Sequence, residues 1–271
     1  KSFQTPLRVD CKYVPALLGS ARALSDEDPP QAQAIAKMAL EVNPSSVPIH
    51  VFLAAEAVDP GKREDARKSL QSALEVNPSS LEAHALMASL AYVEDKTPEY
   101  ESEMQKVIAM APNYGEAYRV AAEIASHNYR YEDAAMLARK AIALDPNNAR
   151  ILSDMGVHLL RTGDETEARS MLERSFQLNG YNQVTYNLLQ MMDTLDKFVT
   201  VRDGDLILKI DKDEAPVLQE PALALAHEAL NNYIKRYNFT PKGAILIEIF
   251  PKHDHFAVRT AGLPGMVGAL G

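Results

Sequence analysis

The chain has 271 residues, of which 46% are hydrophobic and 24% are charged, and its formal net charge is -9. These fractions are ordinary for a globular protein, and the length allows one long repeat array or two domains. A negative chain offers no positive field to phosphate backbones, so we expect no nucleic-acid partner. The sequence holds no run of about 18 apolar residues, so we also expect no membrane span.

The only cysteine is Cys11, which excludes an internal disulfide and a cysteine-based metal site and leaves the compartment unknown. The chain begins at Lys1 without a methionine, and it ends in an apolar, glycine-rich run over 262–271. Nothing in that run caps or solubilises an end. We therefore interpret the chain as a fragment of a longer protein, whose targeting segment, if it has one, would precede Lys1.

A period of 34 residues runs through the first two thirds of the chain. Near copies of one segment recur, as in Ala39-Leu-Glu-Val-Asn-Pro44 and Ala73-Leu-Glu-Val-Asn-Pro78. The closing prolines are Pro44, Pro78, Pro112 and Pro146, and Gly180 stands at the next step. A fixed period of this size is typical of a stacked repeat fold. Alignment on the prolines predicts five units, 13–46, 47–80, 81–114, 115–148 and 149–182.

Each unit predicts two helices with apolar stripes. The first helix carries a small residue in its middle, which lets the neighbouring helix approach closely: Ser20, Ala54, Ala88, Ala122 and Gly156. Helix breakers and caps fall where the two helices should join, at 26–30, 59–61, 95–98 and 162–164. The proline that closes a unit has no N–H and does not continue the second helix.

This pattern resembles the tetratricopeptide repeat (TPR) family over residues 13–182, because the period, the small-residue sites and the closing proline all agree. The resemblance implies a mostly α fold, a TPR-type α-α superhelix of five repeats. At the site where the family usually has a bulky aromatic residue, the five units carry Ala16, His50, His84, Tyr118 and Leu152, and in the third unit Tyr100 replaces the usual alanine. We expect His50 and His84 to be packed side chains and not metal ligands.

Stacked helix pairs form a superhelix with a concave groove lined by the first helices. The groove candidates vary among the units: Val51, Ala55, Ala85, Ser89, Tyr92, Arg119, Glu123, Ser153 and Val157. The lysine and asparagine set with which TPR domains hold a chaperone's terminal carboxylate is missing from these sites. We therefore expect a different protein or peptide in the groove, or packing against the rest of the same chain.

The repeat pattern ends near Tyr181, and residues 183–197 predict one more helix that caps the stack. The period then changes to two in the runs 198–202 and 205–210, and Asp203-Gly204 between them predicts a β-hairpin.

Pro221 predicts the first turn of a further helix, and 244–250 predict a mostly buried strand. The predicted apolar face of that helix carries Leu223, Ala226, His227, Leu230, Ile234 and Tyr237. The order β-β-α-β predicts a small α+β domain fragment over 198–271.

A second resemblance covers 198–271 and is most specific over 239–271. Phe239-Thr-Pro-Lys-Gly243 and Ile247-Glu-Ile-Phe-Pro-Lys-His-Asp-His-Phe-Ala-Val-Arg-Thr-Ala-Gly-Leu-Pro-Gly265 resemble the start of the peptidase-MA-like domain. That family comprises gluzincin-type zinc metallopeptidases, which occur behind TPR arrays in bacterial proteins. Its zinc motif, His-Glu-x-x-His, lies downstream of the matching segment, beyond Gly271. The resemblance therefore implies no catalytic residue and no cofactor in this chain, and zinc in the full-length parent.

Three histidines are metal-ligand candidates within the chain: His227, His253 and His255. His227-Glu228 begins like a zinc motif, but Asn231 replaces the second histidine, and a helix residue with one satisfied hydrogen bond is the simpler interpretation. On an extended segment His253 and His255 face the same way and could share one ion. The alternative is a polar loop at the rim of a cleft.

Two functions stay open. The first is a TPR scaffold for protein or peptide interaction joined to the truncated start of a zinc metallopeptidase, with no catalytic site in this chain. The second is a pure adaptor whose α+β tail is structural.

Overall fold

The computed structural model describes residues 8–25, 27–59 and 61–265. Over these residues eleven helices precede a β-hairpin, a long helix, a third strand and a last helix. The chain forms two compact units, Lys1–Asn147 and Asn148–Gly271. None of the helices in the described ranges is both long enough and apolar enough to cross a membrane.

The helices that precede the hairpin are α1 (Val14–Leu24), α2 (Pro29–Val42), α3 (Val47–Ala55), α4 (Arg63–Val76), α5 (Leu81–Val93), α6 (Thr97–Met110), α7 (Glu116–His127), α8 (Tyr131–Leu144), α9 (Ala149–Thr162), α10 (Glu165–Leu178) and α11 (Gln183–Leu195). The later elements are β1 (Phe198–Asp203), β2 (Leu206–Asp211), α12 (Ala215–Tyr237), β3 (Ile245–Ile249) and α13 (His253–Ala261).

Helices α1 to α10 fall in pairs within the five 34-residue units, which confirms the predicted fold class. The turns between units follow from their sequence. In Asn43 and Asn77 the side-chain oxygen accepts the backbone N–H of the residue two positions on, at 3.2 and 3.1 Å. This local bond favours a turn over a continued helix. The predicted domain boundaries at 182 and 198 stay a prediction.

The small-residue sites pack as expected in four of the five units, and the prediction for the first unit is wrong by one residue. Ala54, Ala88 and Ala122 are fully buried, whereas Ser20 is half-buried and its neighbour Ala21 is fully buried. The rest of α1 shows the same offset, because its first buried residue, Ala16, stands at the fourth position of its unit, whereas the first buried residue of α3, α5, α7 and α9 stands at the third. The first helix is therefore shifted by one residue relative to the period.

Gly156 is the fourth correctly predicted small-residue site, and it lies in the second compact unit. A Cβ on Gly156 would lie 2.5 Å from the Cγ atom of Leu172. Glycine is therefore needed for the observed approach of α9 and α10.

The sheet confirms the predicted β-β-α-β order. Strands β1 and β2 are antiparallel, β2 and β3 are parallel, and the strand order is β1-β2-β3. Asp203 pairs with Leu206, so the two-residue turn is Gly204-Asp205 and not Asp203-Gly204. Gly204 has φ +57°, a conformation that suits a two-residue hairpin turn. Strand β3 is half-buried along its length, where the sequence predicted a mostly buried strand.

Helix α12 packs on one face of this sheet but begins earlier than predicted. It starts at Ala215, with Pro216 in its first turn, and Pro221 lies inside the helix. The earlier start arises because Pro216 already supplies the proline that suits a helix N-terminus. Leu223 and Ala222 pack beside Leu208 and Ile210 of β2, whereas Tyr237, predicted on the same face, is 62% exposed.

Candidate peptide-binding faces

The predicted groove residues occupy the fifth, ninth and twelfth positions of the repeat units, which all lie on first helices. We call the surface formed by positions 2, 5, 9 and 12 of the first helices the first-helix face. In the first compact unit it belongs to α1, α3, α5 and α7, and in the second to α9 and α11.

The structure places the predicted residues of the first compact unit at different depths. Ala55 is exposed, and Val51, Tyr92 and Glu123 are half-buried. Ala85, Ser89 and Arg119 are buried, with exposures of 2%, 0% and 4%. The Ser89 hydroxyl donates to the Ala85 carbonyl at 2.7 Å. These three side chains therefore lie beneath the first-helix face and contribute little to its exposed surface.

Arg119 is held between two carboxylates of its own helix. Its Nη2 lies 2.7 Å from Glu116 Oε1, and its Nη1 lies 2.8 Å from Glu123 Oε2. The three side chains together carry one net negative charge. This end of the first-helix face therefore carries a net negative charge, although Arg119 lies between the two carboxylates.

An open groove of about 730 Å³ lies on the first-helix face where α1, α3 and α5 meet. It is lined by Pro15, Leu18, Gly19, Arg22, Ala23, Pro48 and Glu82. Most of this lining is apolar, and Arg22 and Glu82 add one charge of each sign. Such a surface offers apolar contact together with two polar groups that could orient a ligand.

Sequence reasoning missed this groove because the period was carried into α1 without the one-residue shift. With the shift, Pro15, Leu18 and Arg22 take positions 2, 5 and 9, the same positions as Pro48 and Val51 in α3. The fully buried Ala21 marks the shift. In the sequence, the signal for this shift is Ala21, a second small residue next to Ser20 that suits the small-residue site of the first helix equally well.

Tyr92 lies in a cluster with Tyr100 and Arg130. The Tyr92 and Tyr100 rings meet edge to face with centroids 5.1 Å apart, and the Arg130 guanidinium lies 4.8 Å from the centroid of Tyr92. Arg130 also donates to the Tyr92 carbonyl and pairs with Asp95. Burial raises the pKa of Tyr100, so its hydroxyl stays protonated at neutral pH. Tyr100, which stands where the family usually has alanine, thus makes an aromatic contact between α6 and α5.

The structure shows His50 and His84 as packed side chains. The Nε2 atom of each histidine donates to the carbonyl of the preceding unit's proline, His50 to Pro44 at 2.8 Å and His84 to Pro78 at 2.9 Å. His84 Nδ1 lies 2.5 Å from Glu103 Oε2. Both histidines therefore tie the start of a first helix to the turn before it.

In the second compact unit the first-helix face is occupied by helix α13 of the same chain. Val157, a predicted groove residue, is half-buried and borders a cavity of about 140 Å³ between α9, α11 and α13. The cavity is lined by Val157, Leu160, Arg161, Val184, Leu188 and residues 258–262. Ser153, the other predicted residue here, is 4% exposed and hydrogen-bonds Thr185 at 2.8 Å.

Three contacts hold α13 on this face. Arg259 Nη2 donates to the Leu160 carbonyl at 2.6 Å, and Asn187 Nδ2 donates to the Gly262 carbonyl at 3.0 Å. Gly262 approaches Val184 so closely that a Cβ on it would lie 2.6 Å from Val184 Cγ1. Gly262 caps the helix with φ +76°. A residue other than glycine would therefore meet both backbone strain and a clash.

An alternating row of charges joins the sheet to these helices. Lys209 of β2 pairs with Glu165 of α10, and Glu248 of β3 pairs with Arg259 of α13, whose Nε lies 2.8 Å away. Lys209 and Glu248 are register neighbours across the parallel strands. The Glu248 and Arg259 side chains are 11% and 12% exposed, so this pair is largely desolvated.

The three metal-ligand candidates do not form a site. His227 Nε2 lies 2.9 Å from Asp203 Oδ2, at the edge of the sheet. His253 and His255 lie in the first turn of α13, so the predictions of an extended segment and of a polar loop are wrong. Residues two apart on a helix diverge by about 200°, so the two rings do not face one ion. Within the described residues, no group of three or more His, Cys, Asp or Glu residues is arranged to hold a metal.

Comparison with known proteins agrees with the repeat geometry. A family model described as tetratricopeptide repeat matches residues 125–177, which include all of α8 and α9 and nearly all of α10. Over these residues the chain matches the tetratricopeptide repeat family. No curated protein matches the chain.

Solved structures show likeness in fold. A tetratricopeptide repeat protein from Parabacteroides merdae ATCC 43184 is 17% identical, with 70% of this chain and 74% of that chain covered and a TM-score of 0.51. YrrB, described as a TPR protein with an unusual peptide-binding site, is 14% identical, with 70% and 98% covered and a TM-score of 0.40. MamA is 20% identical, with 60% and 92% covered and a TM-score of 0.34. The first of these supports the TPR fold.

Proposed function

We propose that the chain is a TPR scaffold that binds a protein or peptide in the groove formed by α1, α3 and α5. The observation that carries this proposal is the open groove of about 730 Å³ on the first-helix face. Its walls are apolar at Pro15, Leu18 and Pro48, and its charged groups are Arg22 and Glu82. Burial of apolar surface would supply the affinity, and the two charges would set the direction of the ligand.

The second compact unit supports the proposal through an equivalent surface. There, positions 9 and 12 of α9 and positions 2 and 5 of α11 border a helix of the same chain. A first-helix face of this protein is therefore able to hold a peptide segment through side-chain and carbonyl contacts.

A random peptide library displayed on phage, selected against the full chain, tests the proposal. We expect enrichment of a shared sequence by the wild type and its loss with Ala23→Arg, which places a long charged side chain in the groove. Ala23 is exposed, so the substitution removes no core contact. The control is Met38→Arg on α2, a 52% exposed residue outside the groove lining, which should keep the enrichment. Equal loss in both variants, or no enrichment by the wild type, contradicts the proposal.

The groove charges give a second test. The double variant Arg22→Glu/Glu82→Lys exchanges the two charges of the lining. Peptides selected by this variant should carry their acidic and basic residues in the opposite order from those selected by the wild type. Selection of the same peptides by both proteins would contradict a role for these charges.

A second candidate is that residues 198–271 begin a zinc metallopeptidase domain in a longer parent protein. It is favoured by the hairpin, long helix and parallel third strand, which follow the predicted β-β-α-β order. The alternative is an adaptor with a structural α+β tail. Reading the gene beyond the codon for Gly271 distinguishes them: a His-Glu-x-x-His motif within the next couple of hundred codons is expected for the peptidase, and its absence would exclude it.

A further inference from the structure

Helix α13 is a small element seated on a surface that is open in the other compact unit. It has nine residues, and only Ala257 and Val258 of them are buried. Its polar anchors are the Arg259 guanidinium on the Leu160 carbonyl and on Glu248, and the Gly262 carbonyl on Asn187. Few side chains therefore hold this helix in place.

The surface of α9 and α11 on which α13 lies, called the seat of α13 below, is incompletely filled. A cavity of about 140 Å³ remains between it and α9 and α11. Three buried polar atoms in or beside the helix, Glu248 Oε1, His255 Nδ1 and Arg259 Nε, have no hydrogen-bond partner among the described residues. Voids and unpaired buried polar atoms both weaken an interface relative to a fully complementary one.

We propose that the first-helix face of α9 and α11 is an exchangeable helix-binding site, which α13 fills within the chain and which a partner helix of the same chemistry enters when α13 leaves. The ligand class is a short amphipathic helix with small apolar residues on one side. Its last turn carries an arginine followed three residues later by a glycine, as in Arg259-Thr-Ala-Gly262.

The chemistry of that spacing is specific to this seat. The arginine reaches the Leu160 carbonyl at the end of α9 and the carboxylate of Glu248, which would otherwise be a buried charge without a counterion. The glycine takes the left-handed conformation that ends the helix and leaves room for Val184. A lysine lacks the forked geometry for both arginine contacts, and an alanine does not fit beside Val184.

The site is in a different compact unit from the α1–α3–α5 groove, so this inference does not rest on the proposed function. The experiment uses the full chain and a fluorescein-labelled peptide of residues 250–265, with binding followed by fluorescence anisotropy. In the wild type, α13 competes from within the chain, so the apparent affinity for the peptide is reduced by the fraction of open seats.

Gly262→Ala in the full chain should release α13, because the added Cβ meets Val184. We expect this variant to bind the peptide at least tenfold more tightly than the wild type. Gly265→Ala is the matched control, because Gly265 also has a positive φ, +74°, but nothing lies within 4 Å of its Cβ position. This control should bind like the wild type, and so should the groove variant Ala23→Arg.

Changes in the peptide test the anchor chemistry. Peptides with Arg259→Ala or Gly262→Ala should lose at least tenfold in affinity for the Gly262→Ala chain. Arg259→Ala in the full chain is a second way to release α13, and limited proteolysis at 250–265 reports the release. If α13 is released in either variant and the peptide still does not bind more tightly than to the wild type, α13 is a fixed part of the fold and the proposal is wrong.

Discussion

At the residue scale, a substitution at Gly156 tests how closely α9 and α10, the two helices of one repeat, approach each other. A Cβ at this position would lie 2.5 Å from Leu172 Cγ and 2.7 Å from Leu172 Cδ2. Gly156→Ala gains up to about 1 kcal/mol of helix propensity, but overpacking costs about 1–3 kcal/mol. We expect a lower free energy of unfolding in urea denaturation. Gly61→Ala is the control, because nothing lies within 4 Å of its Cβ position. Equal effects of the two substitutions would contradict the close approach.

Glu94 gives a prediction for acid stability. Its Oε2 lies 2.7 Å from both Arg67 Nη2 and Lys96 Nζ. Burial alone would raise the pKa of Glu94, but hydrogen bonds from Lys96 and Arg67 outweigh burial and hold the pKa below its ordinary value of 4.5. Because the folded-state pKa is the lower one, this stabilisation is complete above about pH 4.5 and is lost as the pH falls through the folded-state pKa.

Glu94→Gln should therefore lower the free energy of unfolding by about 1.5 kcal/mol at pH 7. The difference from the wild type should shrink as the pH is lowered below 4.5, the ordinary pKa of the group. Urea denaturation at several pH values measures both. Asp65→Asn is the control, since its contact with Lys68 is 3.7 Å long and its side chain is 76% exposed. A Glu94→Gln effect that is independent of pH would refute the ionic explanation.

At the scale of elements, α12 has a proline in its interior, where proline is unfavourable. Pro221 lies inside the helix and has no N–H to donate to the Val217 carbonyl. Pro221→Ala should raise the free energy of unfolding by about 1–3 kcal/mol. Pro216→Ala, in the first turn, should change it by less than about 0.5 kcal/mol, because no intrahelical bond is missing there. Thermal unfolding of the two variants measures the difference, and equal gains would argue against a continuous helix.

The seat of α13 depends on one largely buried ion pair. Arg259→Met leaves the Glu248 carboxylate, 11% exposed, without its counterion, and should cost about 3 kcal/mol of stability. In the double variant Glu248→Gln/Arg259→Met no buried charge remains, so much of this loss should be recovered. Urea denaturation of both variants checks this. A double variant as unstable as the single one would mean that the Leu160 carbonyl contact dominates.

Helix α13 also shows where sequence reasoning stopped short. Asp254 in its first turn, Arg259 in its last turn and Gly262 directly after it are ordinary helix signals. For His253 and His255 we instead predict an extended segment or, as the alternative, a polar loop, and the helix overturns both. The contact between Arg259 and the Leu160 carbonyl joins residues far apart in the chain, and no local pattern predicts such a contact.

At the scale of the whole molecule, the 34-residue period was sufficient to predict the paired helices from α1 to α10. Proline, small-residue sites and turn residues all act locally, so their positions predict where helices end. The period did not predict the depth of each side chain, which depends on packing between helices. Ala85 and Ser89 are buried, and the one-residue shift of α1 brings Pro15, Leu18 and Arg22 into the groove. None of the nine predicted groove residues lines this groove, so the predicted binding residues stay a prediction.

The most direct test of the central claim is a titration of the full chain, labelled with ¹³C at methyl groups, with the peptide selected from the phage library. We expect the methyl resonances of Leu18 and Ala23 to shift first, because both residues line the groove. The methyl groups of Met38 and Met110, on second helices α2 and α6, should stay unchanged. Shifts at Met38 or Met110 without shifts at Leu18 and Ala23 would contradict binding on the first-helix face.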